Sequence, residues 1–371
     1  MNLSLVVRLA SACLASSVLA APAAATAPNV RQDQWHLRFL NAAAAQAMSE
    51  GEGVTVAVPD TGIDPHPDLR ENLLAGTDLS SEGDGRQDRD GHGTSMAGLI
   101  AAHGQRDNSG ALGVAPRAKL LPIRTRLVDG RGSADELAAS VEWAVANHAD
   151  VISISAVAGA TSRLQGAIRS ALKAEIVVVA AVGNQPEDPT VGYPASEPGV
   201  IGVGGIDRSG LHAPISATGP EIDLVAPAVD IYSTSYDGKY SKGTGTSSAT
   251  AIVAGAAALI RSKYPNLPAQ EVAHRLTATA VDKGPPGRDD QYGYGVIDLV
   301  AALTADVPPL GFESSNVTPP ASAEAAPDKG DDGSATVRGL ATLGVLVAAG
   351  GGYLFWRRRR RADDPPPRVS R

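Results

Sequence analysis

The sequence predicts an α/β fold whose mainly parallel sheet is covered by helices on both faces. Three observations carry that prediction. Short, unbroken apolar runs recur: VTVAV at 54–58, KLLPI at 119–123, DVISIS at 150–155, EIVVVAAV at 175–182 and VIGVGG at 200–205. Strands buried on both faces read this way instead of alternating polar and apolar. Helix-patterned segments lie between several of these runs, and such alternation implies a parallel sheet with crossover helices. Finally, polar residues gather where the runs end, and ligands of parallel sheets sit beyond the carboxyl ends of the strands.

The helices can be read singly. ADELAASVEWAVANHA (134–149) places Leu137, Val141 and Val145 on one face, with Ser133 as its N-cap. TSRLQGAIRSALKA (161–174) repeats the pattern. Two further apolar helices start from glycine-rich turns, DGHGTSMAGLIAA at 90–102 and GTGTSSATAIVAGAAALI at 243–260.

At 371 residues, 43% of them hydrophobic and 19% charged, the chain can build one large core. Its single cysteine, Cys13, excludes a disulfide framework. Residues 357–371 hold seven Arg against two Asp, so the rest is more acidic than the net charge of −8. An acidic body argues against nucleic acid as a partner.

Both ends lie outside the expected body. Residues 1–27 carry Arg8, a stretch of small apolar residues and A-x-A sites such as Ala23-Ala24-Ala25, the grammar of a secretory signal peptide. Residues 28–50 form an N-terminal extension and 51–304 the main domain. A Pro-, Ala- and Asp-rich linker follows at 305–336. A transmembrane helix is expected over 337–356, because 339–356 run 18 positions without a charge and a bilayer core of about 30 Å needs that length. Arg357 to Arg361 begin a basic cytoplasmic tail over 357–371. The expected location is the cell membrane, single-pass, with the body outside the cytoplasm.

Four residues occupy strand ends or helix starts. Asp60 follows VTVAV, Asn184 follows EIVVVAAV, His92 opens one glycine-flanked helix and Ser247 opens the other. A serine hydroxyl needs a base to become nucleophilic, and a neutral imidazole supplies one near pH 7. A buried carboxylate fixes the imidazole tautomer. An amide donor and a helix N-terminus can stabilise an oxyanion. Singly, each residue also has a structural reading: strand terminus, Asx turn or N-cap. It is their joint occurrence that points to chemistry.

At these residues the chain resembles the subtilisin-like serine peptidases of family S8, across about 50–304. The matching motifs are DTGID (60–64), GHGTSMAG (91–98), AAVGN (180–184), YPASEPGVIGVGG (193–205) and GTSSA (245–249), in the family's order. The resemblance implies a three-layer subtilisin-like fold and peptide-bond hydrolysis through an acyl-enzyme. It implies Asp60 as orienting carboxylate, His92 as general base, Ser247 as nucleophile and Asn184 as oxyanion donor. Thr244 and Thr246 then serve the turn, and Ser248 is turned aside. It places substrate contacts at Gly130, Gly132, Ser155, Ala156 and Val157, with the peptide added as a strand between segments near 130–133 and 153–157. The ends of the chain look most like the mycosins, membrane-anchored proteases of type VII secretion in actinobacteria. Expected partners are therefore peptide or protein substrates, the membrane and type VII secretion machinery.

Three departures stand out. Pro59 precedes Asp60 and removes one ladder N–H. Ala251 replaces a common proline. Val157 occupies a position where the family carries glycine, so it narrows the specificity pocket or shifts the strand. The first and last favour an alternative, a weak or inactive subtilisin-fold domain that binds or scaffolds. No cofactor is expected. The acidic stretch GDGRQDRD (83–90) is compatible with calcium, though a solvated loop is the simpler reading, and His66, His103, His148 and His212 are expected as surface or cap residues.

Overall fold

The computed structural model describes residues 30–105, 109–128 and 131–311. The segments expected as signal peptide and transmembrane helix lie outside these residues, as do Cys13, Gly130 and most of the linker. Among the described residues no helix is long and apolar enough to cross a membrane.

A seven-stranded, fully parallel sheet forms the centre. Chain order begins with three short helices, α1 (Val30–Asp33), α2 (Trp35–Phe39) and α3 (Ala42–Gln46), and then enters β1 (Thr55–Asp60) and β2 (Thr77–Asp78). Helix α4 (His92–Ala101) leads to β3 (Lys119–Arg124) and a small antiparallel pair, β4 (Leu127–Val128) and β5 (Arg131–Gly132). Next come α5 (Ala134–Ala146), β6 (Val151–Ile154), α6 (Ser162–Lys173), β7 (Val177–Ala181), β8 (Ile201–Ile206) and β9 (Leu224–Pro227). A hairpin of β10 (Ile231–Thr234) and β11 (Tyr240–Gly243) precedes α7 (Thr246–Lys263), α8 (Ala269–Ala278) and α9 (Leu299–Thr304). The strand order is β2-β3-β1-β6-β7-β8-β9.

The expected strands and the two amphipathic helices form where the apolar runs place them, with ends moved by at most three residues. Strand β1 and strands β6 to β8 are almost wholly buried, as continuous apolar runs require. Helices α5 and α6 cover one face with Leu137, Val141, Leu164 and Ile168, whereas α4 and α7 cover the other. Helix α7 is buried from Ser248 to Ile260, and its alanines let it lie close against the sheet and α4. In α6 the cap falls on Thr161, whose hydroxyl accepts from Leu164 N at 3.3 Å. Pro59 is accommodated because β1 pairs with β6 at Val56 and Ala57 but continues beside β3 through Asp60.

The three N-terminal helices share the core of the body. Trp35 Nε1 donates to Val229 O at 3.1 Å, and Gln34 exchanges bonds with Leu112, its Nε2 donating at 2.9 Å and its Oε1 accepting at 2.9 Å. His36 is fully buried in this contact. Burial, with Arg38 adding to it, pulls its imidazole down to about 3, so it stays neutral.

Candidate active site

Asp60 is the last residue of β1 and is fully buried. His92 is the first residue of α4. The two meet because the next helical residue is glycine. A Cβ on Gly93 would fall 2.1 Å from Gly62 O and 3.1 Å from Asp60 Oδ1, so a larger residue would push the helix off the strand end. In that close approach His92 Nδ1 lies 2.8 Å from Asp60 Oδ1 and 3.0 Å from Oδ2. Asp60 Oδ1 also accepts from Thr61 N at 2.7 Å. An ionised carboxylate only accepts, so His92 Nδ1 carries the proton and Nε2 holds the free lone pair.

A second carboxylate builds the turn ahead of α4. Asp88 Oδ1 accepts from Asp90 N, Gly91 N and Thr61 Oγ1 at 2.9–3.0 Å. Its Oδ2 accepts from Thr94 N at 2.9 Å and Thr94 Oγ1 at 2.6 Å. Thr61 Oγ1 in turn accepts from Gly93 N at 2.9 Å. The first-turn N–H groups of a helix lack intrahelical acceptors, and here Asp88 and Thr61 supply them. The acidic stretch at 83–90 is thus not simply a solvated loop, since Asp88 is buried. Among the described residues no group of His, Cys, Asp and Glu could hold a metal ion.

Ser247 sits in the first turn of α7, half-buried, while Ser248 is buried beside it. The Ser247 hydroxyl donates to Ser155 O at 3.2 Å, and the Ser155 hydroxyl donates to Ser247 O at 3.2 Å. Thr246 fixes Asn184: Asn184 Oδ1 accepts from Thr246 N at 2.9 Å and lies 3.1 Å from Thr246 Oγ1. Of the two side-chain amide atoms only the oxygen can accept, so Asn184 Nδ2 is left as the donor. Thr244 Oγ1 accepts from Asp230 N at 3.0 Å and holds the β10 turn. Both threonines thus serve the turn, and Thr246 has the further task of orienting Asn184.

His92, Asn184, Ser247 and Ser248 line one cleft of about 410 Å³, together with Thr61, Asp90 and Gly91. Its floor is reinforced by the β10–β11 hairpin. Ser233 Oγ and Thr234 Oγ1 each donate at 2.7 Å to carbonyls of α4, those of Ser95 and Thr94.

Two of the expected substrate-strand residues, Gly132 and Val157, meet directly. Gly132 N donates directly to Val157 O at 3.3 Å, and Arg131 pairs with Val157 in a parallel bridge. Arg131 also ion-pairs with Asp188, whose Oδ2 accepts from Asn184 N at 3.0 Å. The Val157 methyls lie against Gly192, where an added Cβ would fall 2.6 Å from Cγ1. Ser155 and Ala156 are buried beneath.

His148 is exposed, as expected, and His103 and His212 are half-buried. His66 is not a surface residue. It is buried, accepts from Asp68 N at Nδ1 (3.0 Å) and meets the Tyr240 ring edge-on at 5.0 Å. The sequence did not single out Asp88, which lies three residues ahead of the N-cap Gly91 and reaches the helix start only through the folded turn.

A parallel α/β sheet with this cleft at its carboxyl edge is the architecture of a serine peptidase. Residues 51–295 match the Subtilase family of S8 peptidases, and the chain belongs to that family as a subtilisin-type serine endopeptidase. It is 38% identical over 265 residues to a thermostable alkaline protease of Halalkalibacterium halodurans, covering 71% of each chain. It is 40% identical over 260 residues to subtilisin DY of Bacillus licheniformis, covering 68% of this chain and 92% of that one. Similar solved structures include MycP1 with its N-terminal propeptide removed, at TM-score 0.66 and 32% identity over 74% of this chain and 98% of that one. Another is the MycP3 protease from the type VII (ESX-3) secretion system, at TM-score 0.65 and 36% identity over 73% and 88%.

The electrostatics of His92 set a pH prediction. Burial lowers its basicity, but Asp60, by charge and hydrogen bond, and then Asp90 and Asp88 outweigh burial and raise it above 6.5. The protonated pair therefore adds stability that is complete below pH 6.5 and is lost as pH rises through the folded-state value. For peptide hydrolysis, kcat/KM should climb with pH through an apparent pKa above 6.5, since it reports the free enzyme. Asp60→Asn should move that limb downward as well as lowering the rate. An identical limb in both proteins would show that the limb does not report His92 under the influence of Asp60.

Proposed function

We propose that the chain is a membrane-anchored endopeptidase in which Ser247 is the nucleophile, His92 the general base and Asp60 its orienting carboxylate. The observation that carries this reading is the Asp60–His92 hydrogen bond, 2.8 Å long, in a cleft shared with Ser247 and Asn184. For attack, the Ser247 hydroxyl turns from Ser155 O toward His92 Nε2, which takes its proton as Oγ bonds the scissile carbonyl carbon. The oxyanion then receives Asn184 Nδ2–H and the Ser247 N–H at the start of α7. His92 returns the proton to the leaving amine, and water repeats the sequence to free the acyl group. Loss of one such donor costs about 2.7–4 kcal/mol, a magnitude established on a subtilisin.

A fluorophosphonate probe tests the assignment. Ser247→Ala should abolish labelling, and Ser248→Ala should keep most of it. Equal labelling of the two would sink the assignment. A second reading, a binding or scaffolding domain, draws support from the closed Gly132–Val157 contact. Failure of the wild-type chain to label would favour it.

Val157 supports a preference for small P1 side chains, because its methyls, at a position where the family carries glycine, lie against Gly192. One misfit group of that size changes rates by about 10–200-fold. Matched peptides should be cut faster with Ala than with Phe at P1, and Val157→Gly should narrow the gap. Faster cleavage of the Phe peptide by the wild type would contradict this.

The likeness to MycP1 and MycP3 supports a place beside type VII secretion machinery. The uncharged run 339–356 followed by five arginines supports a single span with the catalytic domain outside. Protease added to intact cells should cut the linker at 305–336 and spare a C-terminal tag. A digested tag would reverse the orientation.

A further inference from the structure

We infer that Asp90 is a specificity residue, selecting a lysine or arginine side chain of the substrate at the subsite beside His92. The inference rests on the peptidase reading above and adds to it the charge class of the substrate. Among the described residues lining the cleft, Asp90 is the only carboxylate, and no Lys or Arg lines it. The residue is exposed, so its charge faces the space a peptide enters.

Its position is fixed on both sides. The Asp90 N–H donates to Asp88 Oδ1 at 3.0 Å, and Asp90 Oδ1 accepts from the His92 N–H at 3.1 Å. One oxygen is thus held at the start of α4, and Oδ2 is left to receive a donor. A carboxylate on a locked turn gives up little conformational entropy when it pairs, unlike one on a free loop.

Cations close in the chain to cleft residues, or bound to Asn184's neighbour Asp188, have other partners, and Arg89, next to Asp90 in the chain, donates to Gln87 Oε1 at 3.1 Å. Lys239 pairs with Asp237 at 3.4 Å, Lys242 with Asp230 at 3.1 Å, and Arg131 with Asp188. Among the described residues none forms an ion pair with Asp90. The other carboxylates near His92 are committed: Asp60 to the imidazole, and Asp88 to Thr61, Asp90, Gly91 and Thr94. They add negative potential without offering a free oxygen. A cleft of this kind attracts cationic side chains.

A structural role alone, as an acceptor for the His92 N–H, is the competing reading. The variant Asp90→Asn separates the two, since the amide oxygen can still accept that bond while the charge is gone. The variant also alters the basicity of His92, which changes the rate on every substrate. The informative quantity is therefore a ratio of kcat/KM values at one pH, in which the shared effect on the base cancels.

Purified enzyme is assayed on a peptide series that carries Lys or norleucine, in turn, at each position from P3 to P2′. Exposed charge pairs are worth a few-fold, and desolvation by a bound peptide raises that, so wild type should favour Lys at one position on the order of tenfold. The preference should shrink in high salt and fall to about onefold in Asp90→Asn. A Lys preference that survives in Asp90→Asn, or no Lys preference at any position in the wild type, overturns the inference. Hydrolysis of no peptide in the series overturns the peptidase reading, and this inference with it.

Discussion

Much of the site depends on two stretches of backbone meeting with nothing between them. The end of β1 and the start of α4 approach so closely that a Cβ at Gly93 would overlap the Gly62 carbonyl. That absence of a side chain allows a buried carboxylate and a half-exposed imidazole to share a 2.8 Å hydrogen bond. Burying an unpaired carboxylate is costly, so Asp60 is tolerable there only with its two donors, His92 Nδ1 and Thr61 N. The same pairing leaves Nε2 deprotonated and directed away from Asp60. Stability of the strand end and the free lone pair on Nε2 thus have one cause.

The other half of the cleft follows a similar logic from a different element. Helix α7 is small-residued and buried, so its first turn is held rigidly against the sheet. Thr246 spends its N–H on the Asn184 carbonyl oxygen and thereby sets which end of that amide faces the cleft. Asp88 does comparable work at α4, taking four donors from the turn at its start and a fifth from Thr61 at the end of β1. A fixed set of dipoles costs no reorganisation when charge develops. Asp90, held by the same turn, extends this order to the cleft rim.

The central sheet was legible because its strands are buried on both faces, and unbroken apolar runs such as EIVVVAAV have few other readings. Asp60, His92, Asn184 and Ser247 were legible as a set because each stands where a strand ends or a helix begins. The rest depended on contacts between distant residues. Strand β9 is four residues long, and the β10–β11 hairpin carries Ser, Lys and Thr whose role appears only when Ser233 and Thr234 reach α4. His66 reads as polar, yet folding buries it against Asp68 and Tyr240. The direct Gly132–Val157 bond could not be read from spacing, because it depends on how two loops approach in space.

The geometry of the site turns on Asp60 holding the proton on His92 Nδ1. Proton NMR of the protein with ¹⁵N-labelled histidine observes that proton directly. A low-field Nδ1–H resonance should be present, shift as His92 titrates and disappear or move sharply upfield in Asp60→Asn. An unchanged resonance in Asp60→Asn, or a His92 ring protonated at Nε2 alone near neutral pH, would contradict the account.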